Sequence, residues 1–368
     1  MEKNIQTLQD EQDVQDLRRQ PSRRLTHIKK RELINAGYTF FDGEEYLLHK
    51  PVKQVVSVSP DDKISSLNKP VKIFLYPSLT SCSGAIPSER LNFERRCFEL
   101  IENIEQTNYM ELADILFVNA GFKETEIVKS ELARYKDKII VIDYRDDCKR
   151  LCPVAHKCYF KRSIIRKNNF NTSPQSYPIV IHPIAYPMKL FFEKNLNIVD
   201  YDKRNWDISC FFDENDKINT GRGKVSTILR NNNQLKKYKV HSGIVDSSGE
   251  SGRTKVNHNY VEMIRHSKII VTRNPDRWEG DYRLAESFSG GSLVFVDKMC
   301  APHRYPLENR KHLIYYNNED ELVELLIFYL ENPVEAKKIA KAGYDYVKQH
   351  RTIEQEFKTV INQFLSEI

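Results

Sequence analysis

One stretch narrows the choice of folds more than any other: Lys268 to Lys298, KIIVTRNPDRWEGDYRLAESFSGGSLVFVDK. Lys268-Ile269-Ile270-Val271-Thr272 is a β-branched apolar run, Asp281 to Ser289 repeats its apolar residues at helical spacing, and Ser292-Leu293-Val294-Phe295-Val296 is a second apolar run closed by Asp297. Gly290-Gly291 stops the helix between them. Two strands joined by a helix form a βαβ unit, and open α/β sheets bind ligands where the first strand ends and the helix begins. Backbone N–H groups at that helix end attract anions. The connecting loop holds Arg273, Arg277 and Trp278, while Glu279, Asp281 and Glu286 add carboxylates. A nucleoside diphosphate requires this combination: cations and N–H donors for phosphate, a carboxylate for ribose hydroxyls. An ordinary βαβ unit with a solvated polar loop has the same periodicity, so the segment alone does not decide.

Alternation of strand and helix extends to both sides. A first α/β region starts at Val71-Lys72-Ile73-Phe74-Leu75-Tyr76-Pro77 and continues through a helical stretch from Arg90 to Glu105, a strand from Ile115 to Val118, a helix from Glu124 to Tyr135 and a strand from Lys138 to Asp143. Ile179 to Ile184 is a further short strand. A second region begins with a strand at Trp206 to Phe212 and a helix opened by Thr220-Gly221-Arg222-Gly223-Lys224. It adds a strand at Tyr238 to His241, a helix at Tyr260 to His266, the segment above, a strand at Leu313 to Tyr316, and helices from Asp320 to Glu331, Pro333 to about His350 and Thr352 to Ile368. Such alternation predicts an α/β protein with parallel sheets covered on both faces. With 368 residues, two cores are expected rather than one. The boundaries read as an N-terminal extension over 1–68, a first Rossmann-like domain over 69–200, a second over 201–350, and a terminal helix over 351–368.

The 57 basic and 51 acidic residues give a net charge of +6, compatible with phosphorylated ligands but far short of a dedicated nucleic-acid binder. The basic run from Arg18 to Arg31 follows acidic residues and reads as a solvated helix end. Seven cysteines, an odd number over a long chain, indicate reduced thiols. Cys148, Cys152, His156 and Cys158 lie close together in a basic loop, and such donors suit zinc. Their spacing matches no common finger or ribbon, so structural thiols and no metal site are expected. No stretch approaches the roughly 20 apolar residues of a membrane span, and the polar N-terminus lacks an apolar leader, which points to a cytoplasmic protein.

The run Arg283-Leu284-Ala285-Glu286-Ser287-Phe288-Ser289-Gly290-Gly291, with the strand after it, resembles the "R-x-x-E-a-x-x-x-G" helix of GT-B glycosyltransferases that use nucleotide sugars. His312 to Asn318 followed by Glu319-Asp320-Glu321-Leu322 resembles that family's closing strand and helix. The order of FFD, Arg222, RNP and YRLAE is similar to that in exostosin-like and related branches. This resemblance covers residues 206–350. It implies two Rossmann-like domains facing across a cleft, donor nucleotide on the C-terminal one, acceptor on the N-terminal one, and a terminal helix crossing back to the first domain. It makes Glu286 the ribose ligand. Many retaining members carry two glutamates separated by seven residues, whereas Glu279 and Glu286 have six between them, so Glu286 alone carries over.

Transfer from such a donor needs the leaving diphosphate stabilised, which basic side chains and a helix N-terminus can do without a divalent ion. Arg222, Lys224 and Arg273 are the leading candidates, with Arg277 and Arg283 beside them. An inverting reaction also needs a base for the acceptor hydroxyl, and Asp143, Asp146 and Asp147 are the carboxylates at the end of a first-region strand. That DYRDD string contains Asp-x-x-Asp rather than the Asp-x-Asp of metal-dependent transferases, so no essential metal and no cofactor beyond the nucleotide sugar are expected. The expected acceptor is a glycan or glycoconjugate, with no nucleic-acid partner. Two other readings stay open: a non-catalytic nucleotide- or carbohydrate-binding protein on the same fold, and an RNA-binding protein marked by steep salt dependence.

Overall fold

Strands that are buried on both faces read as continuous apolar runs, and Ile139–Asp143 is buried at all five positions. The computed structural model describes residues 63–64, 67, 69–76, 98–119, 126–144, 154–162, 181–184, 198–212, 220–245, 258–274, 282–297 and 305–367. Most of the expected extension therefore lies outside the described residues. Val58–Ile368 form one compact unit containing two sheets.

The first sheet is built from β1 (Val71–Leu75), β2 (Ile104–Gln106), β3 (Ile115–Asn119), β4 (Ile139–Asp143), β5 (Cys158–Lys161) and β6 (Ile181–Pro183), in the spatial order β2-β1-β3-β4-β5-β6. The second contains β7 (Trp206–Cys210), β8 (Val240–Ser242), β9 (Ser267–Val271), β10 (Leu293–Asp297) and β11 (Ile314–Tyr316), in the order β11-β10-β9-β7-β8. Every strand pairing within them is parallel. The named helices are α1 (Glu126–Ala133), α2 (Thr220–Asn231), α3 (His258–Arg265), α4 (Tyr282–Ser289), α5 (Glu319–Glu331), α6 (Pro333–His350) and α7 (Ile353–Ser366). None is long and apolar enough to cross a membrane.

Two strands depart from the sequence reading. Of the expected helix from Arg90 to Glu105, residues 90–97 lie outside the described residues and the end is β2 instead, entered through Asn103 in a left-handed conformation with φ 60°. Asn103 tolerates that region better than most residues, and its carbonyl accepts the Val71 N–H at 2.8 Å, which sets β2 alongside β1. Cys158–Lys161 is not a loop either. It is buried at all four positions and inserted between β4 and β6.

The period-two pleat sorts the first sheet's apolar residues onto two faces. Leu116, Val118, Ile139, Val141 and Tyr159 pack with Leu132 of α1. Ile115, Phe117, Ile140, Ile142 and Phe160 pack instead with Ile353, Phe357, Val360, Ile361 and Phe364 of α7. The Phe357 ring lies 5.1 Å from Phe98 and 5.9 Å from Phe117. Each large apolar side chain so buried contributes roughly 1.5–3 kcal/mol. Two devices separate α7 from α6. Arg351 leaves the helical conformation and donates twice to the Tyr305 carbonyl, and Thr352 caps α7 by accepting from the Gln355 N–H.

In the second sheet one face packs on Val225 and Leu229 of α2 and on Leu322, Val323 and Leu326 of α5. The other meets Val261 and Ile264 of α3 and Leu284 and Phe288 of α4. Gly291, at φ 67°, takes the left-handed position that ends α4, its N–H bonded to the Phe288 carbonyl.

Candidate functional site

In the second sheet β7 and β9 are neighbours whose connections leave in opposite directions, β7 through α2 to β8 and β9 through α4 to β10. Ligands in open α/β sheets bind in the crevice outside the strand ends at such a switch point. Arg222 stands in the first turn of α2 and Arg273 follows β9, so both are delivered to that edge.

The two arginines interlock. Arg222 is 8% exposed, and its Nε and Nη2 both donate to the Arg273 carbonyl, at 3.1 and 3.0 Å. Arg273 reaches the other way: its Nη1 donates to the Gly221 carbonyl at 3.3 Å and to Glu319 Oε1 at 3.1 Å, and its Nε lies 3.8 Å from Asp297 Oδ2. The guanidinium lies so close over Gly221 that a Cβ there would stand 2.6 Å from Arg273 Cζ, so any side chain at this position would displace the guanidinium. The first turn of α2 carries no acidic residue. Two guanidinium groups therefore add to the positive end of a helix dipole, which favours an anion.

Carboxylates hold the opposite flank. Asn274 ties the ends of β9 and β10 together, donating its N–H to Asp297 Oδ1 at 2.6 Å and its Nδ2 to the Asp297 carbonyl at 3.1 Å. Burial pushes the Asp297 carboxyl up to about 6, against the pull of the Asn274 N–H and the two arginines. Burial likewise pushes the Cys210 thiol, at the end of β7, up to about 12, while hydrogen bonds with the Phe212 backbone and the Ser242 side chain, and then the charges of Arg283 and Arg222, draw it down. Arg283 is half-buried in the first turn of α4.

Glu286 lies in α4, which is buried from Leu284 through Ser289. It is 3% exposed, and its Oε2 accepts from the Tyr260 hydroxyl of α3 at 2.8 Å. Tyr260 is itself held edge-on against Phe211 at 5.0 Å. The carboxylate is thus fixed from within the fold and is not a solvated surface charge. Lys224, two residues beyond Arg222, is exposed. Two helical positions differ by about 200°, which places it on the far side of α2 from the arginine pair. Arg277 lies outside the described residues.

In the first sheet Asp143 ends β4 with no exposure, and its Oδ2 accepts from Lys161 Nζ and from the Tyr159 hydroxyl, each at 2.7 Å. All three side chains are buried, so the group is a closed ion pair with an added hydrogen bond. Asp146 and Asp147 lie outside the described residues. So do Cys148 and Cys152, while His156 Nδ1 lies 2.7 Å from the Val154 carbonyl oxygen.

Residues 229–362 match the family described as glycosyl transferase-like. Among solved structures, an alpha-glucosyltransferase in complex with UDP-glucose and DNA containing an abasic site aligns with TM-score 0.55 and 13% identity, over 80% of this chain and 99% of that one. The fold is that of a GT-B glycosyltransferase. A complex of an alpha-glucosyltransferase with UDP and a 13-mer DNA containing an HMU base gives the same TM-score, identity and coverage. Anabaena Alr3699/HepE in complex with UDP-glucose aligns at TM-score 0.44 and 10% identity, over 81% of this chain and 99% of that one. No curated protein matches the sequence.

Within the GT-B fold, sequence reasoning gave no site role to four residues that shape this edge: Asn274, Asp297, Glu319 and Tyr260. A signal existed for Asn274 and Asp297, which sit at the carboxyl ends of recognisable apolar runs. Glu319 opens a helix remote in sequence, and Tyr260 lies on a different helix from its partner. The family-like run at Glu319 gave it no site role, and nothing local marks Tyr260.

Proposed function

We propose that this chain transfers a sugar from a nucleoside diphosphate sugar to an acceptor hydroxyl, with the nucleotide held on the second sheet. The single observation that carries this reading is the crossed Arg222–Arg273 pair over the first turn of α2. Cations fixed in advance at a helix N-terminus stabilise the charge that grows on a leaving diphosphate, which supports a transfer independent of divalent metal. Glu286, held by Tyr260, is assigned to the ribose, and Arg283 and Arg277 to the phosphate-facing side. The donor half is residues 201–350 and the acceptor half 69–200. Asp143 keeps β5 in place, and the base for the acceptor hydroxyl falls to Asp146 or Asp147. The acceptor class is a glycan or glycoconjugate.

Incubation with a panel of hexose and pentose nucleotide sugars tests the reading, with release of nucleoside diphosphate as the readout. DNA carrying an HMU base belongs in the acceptor panel beside glycans, because one structure compared above holds such DNA. Diphosphate release that rises with a hydroxyl acceptor and disappears in Arg273→Ala supports transfer. Tight nucleotide binding with no turnover on any donor identifies a binding protein instead, and absence of nucleotide binding rejects both.

A further inference from the structure

Cys158, His182 and Glu367 bring a thiol, an imidazole and a carboxylate together from three elements: β5, β6 and the residue that caps α7. Their donor atoms all lie within 4.8 Å of one another, with Cys158 Sγ 3.1 Å from Glu367 Oε2 and His182 Nε2 2.9 Å from Glu367 Oε1. A tetrahedral zinc ion with bonds of about 2.0–2.3 Å holds its donors about 3.3–3.6 Å apart, so these positions need only small shifts to surround one. We propose that the three side chains bind a divalent cation of the zinc type, with a fourth position for water.

Two further observations point to a ligand. His182 Nε2 is buried and makes no hydrogen bond, although the Glu367 carboxylate is within reach; its lone pair or proton is misaligned for that partner. A cation bound to both would give Nε2 a partner, whereas an unpaired buried polar atom costs stability. The groups around the cluster also orient its ligands as metal sites require. Phe160 stacks on the His182 ring at 5.0 Å, and Gln363 Nε2 donates to Glu367 Oε1 at 2.8 Å. Spacing in the sequence hides this site, because its donors are scattered from residue 158 to residue 367. The cation would fasten the end of α7 to the outer strands of the first sheet. It belongs to neither the crossed arginines nor the diphosphate chemistry, so the proposal stands apart from the proposed transfer.

Elemental analysis of the full chain purified without chelator, followed by cobalt(II) substitution, decides the matter. The expected result is about one zinc per chain, a sulfur-to-cobalt charge-transfer band, and a melting temperature lowered by chelator in wild type but not in His182→Gln. Because Cys158→Ser changes a buried core position, His182→Gln and Glu367→Gln are the primary variants, each expected to lose the metal while remaining folded. Wild type with no metal and no cobalt band means a bare hydrogen-bonded thiol–carboxylate pair and overturns the proposal. Metal lost in Cys152→Ser but kept in both Gln variants overturns it as well, by locating the ion elsewhere.

Discussion

Arg222 donates twice to the carbonyl of Arg273, while Arg273 donates back to the carbonyl of Gly221, the residue before Arg222. Each guanidinium therefore fixes the backbone that carries the other.

If the pair receives a diphosphate, Arg222→Ala or Arg273→Ala removes a charge-assisted contact of roughly 1.5–3 kcal/mol. Nucleoside diphosphate affinity should fall about tenfold or more in each variant. Arg222→Lys keeps the charge but cannot bridge one carbonyl with two donors, so it should recover only part of the loss. Calorimetry on the folded variants reads this directly, and unchanged affinity in both alanine variants rejects the placement.

Glu286, the proposed ribose ligand, accepts a part-buried hydrogen bond from Tyr260. Glu286→Gln preserves shape and an acceptor for Tyr260, and should weaken nucleotide binding while the empty protein melts near wild type. Glu286→Ala should cost about 1.5–3 kcal/mol in binding and also lower the melting temperature, since the hydrogen bond from the Tyr260 hydroxyl is lost. A 2′,3′-dideoxy nucleotide makes the test specific. Wild type that binds it as well as the ribonucleotide shows that no ribose hydroxyl is being held.

The Asp297 carboxyl sits at about 6 in the fold, against 3.8 for the ordinary group. Between those values the native state keeps a proton that the unfolded chain has released, so this group's contribution to stability falls as pH rises from about 4 to about 6 and stays low above that. A difference of about two units corresponds to at most about 3 kcal/mol. Asp297→Asn retains an acceptor for the Asn274 N–H and should flatten this part of the profile. Urea unfolding of both proteins between about pH 4 and pH 7 checks it; parallel profiles would remove Asp297 as the titrating group.

Asp143 offers a contrast between stability and chemistry. Asp143→Asn leaves the Lys161 ammonium buried without its counter-charge and should destabilise by about 3–5 kcal/mol. Asp143→Asn combined with Lys161→Met should be markedly milder. A single variant that melts like wild type but loses turnover would return the base role to this carboxylate. Thermal unfolding beside donor turnover separates the two cases.

Long apolar runs made most strands legible, because burial on both sheet faces demands them. Two strands escaped for identifiable reasons. β2 has three residues and depends on the left-handed turn at Asn103, and the basic flanks of β5 disguised a run whose Lys161 is neutralised by Asp143. At the candidate site, Arg222, Arg273 and Glu286 could be read from motif and helix position. Asp297 and Glu319 could not be joined to them, since that depends on β9 lying between β7 and β10, a fact of sheet order that no local spacing encodes.

The packing of α7 against Ile115, Phe117 and Ile140 constrains how the protein is made. The first sheet's strands are synthesised long before residues 353–366, so one apolar face stays uncovered while the whole second half emerges from the ribosome. That face is most open to misassociation during this interval. A stop codon before α7 should harm the N-terminal sheet more than the domain it directly follows.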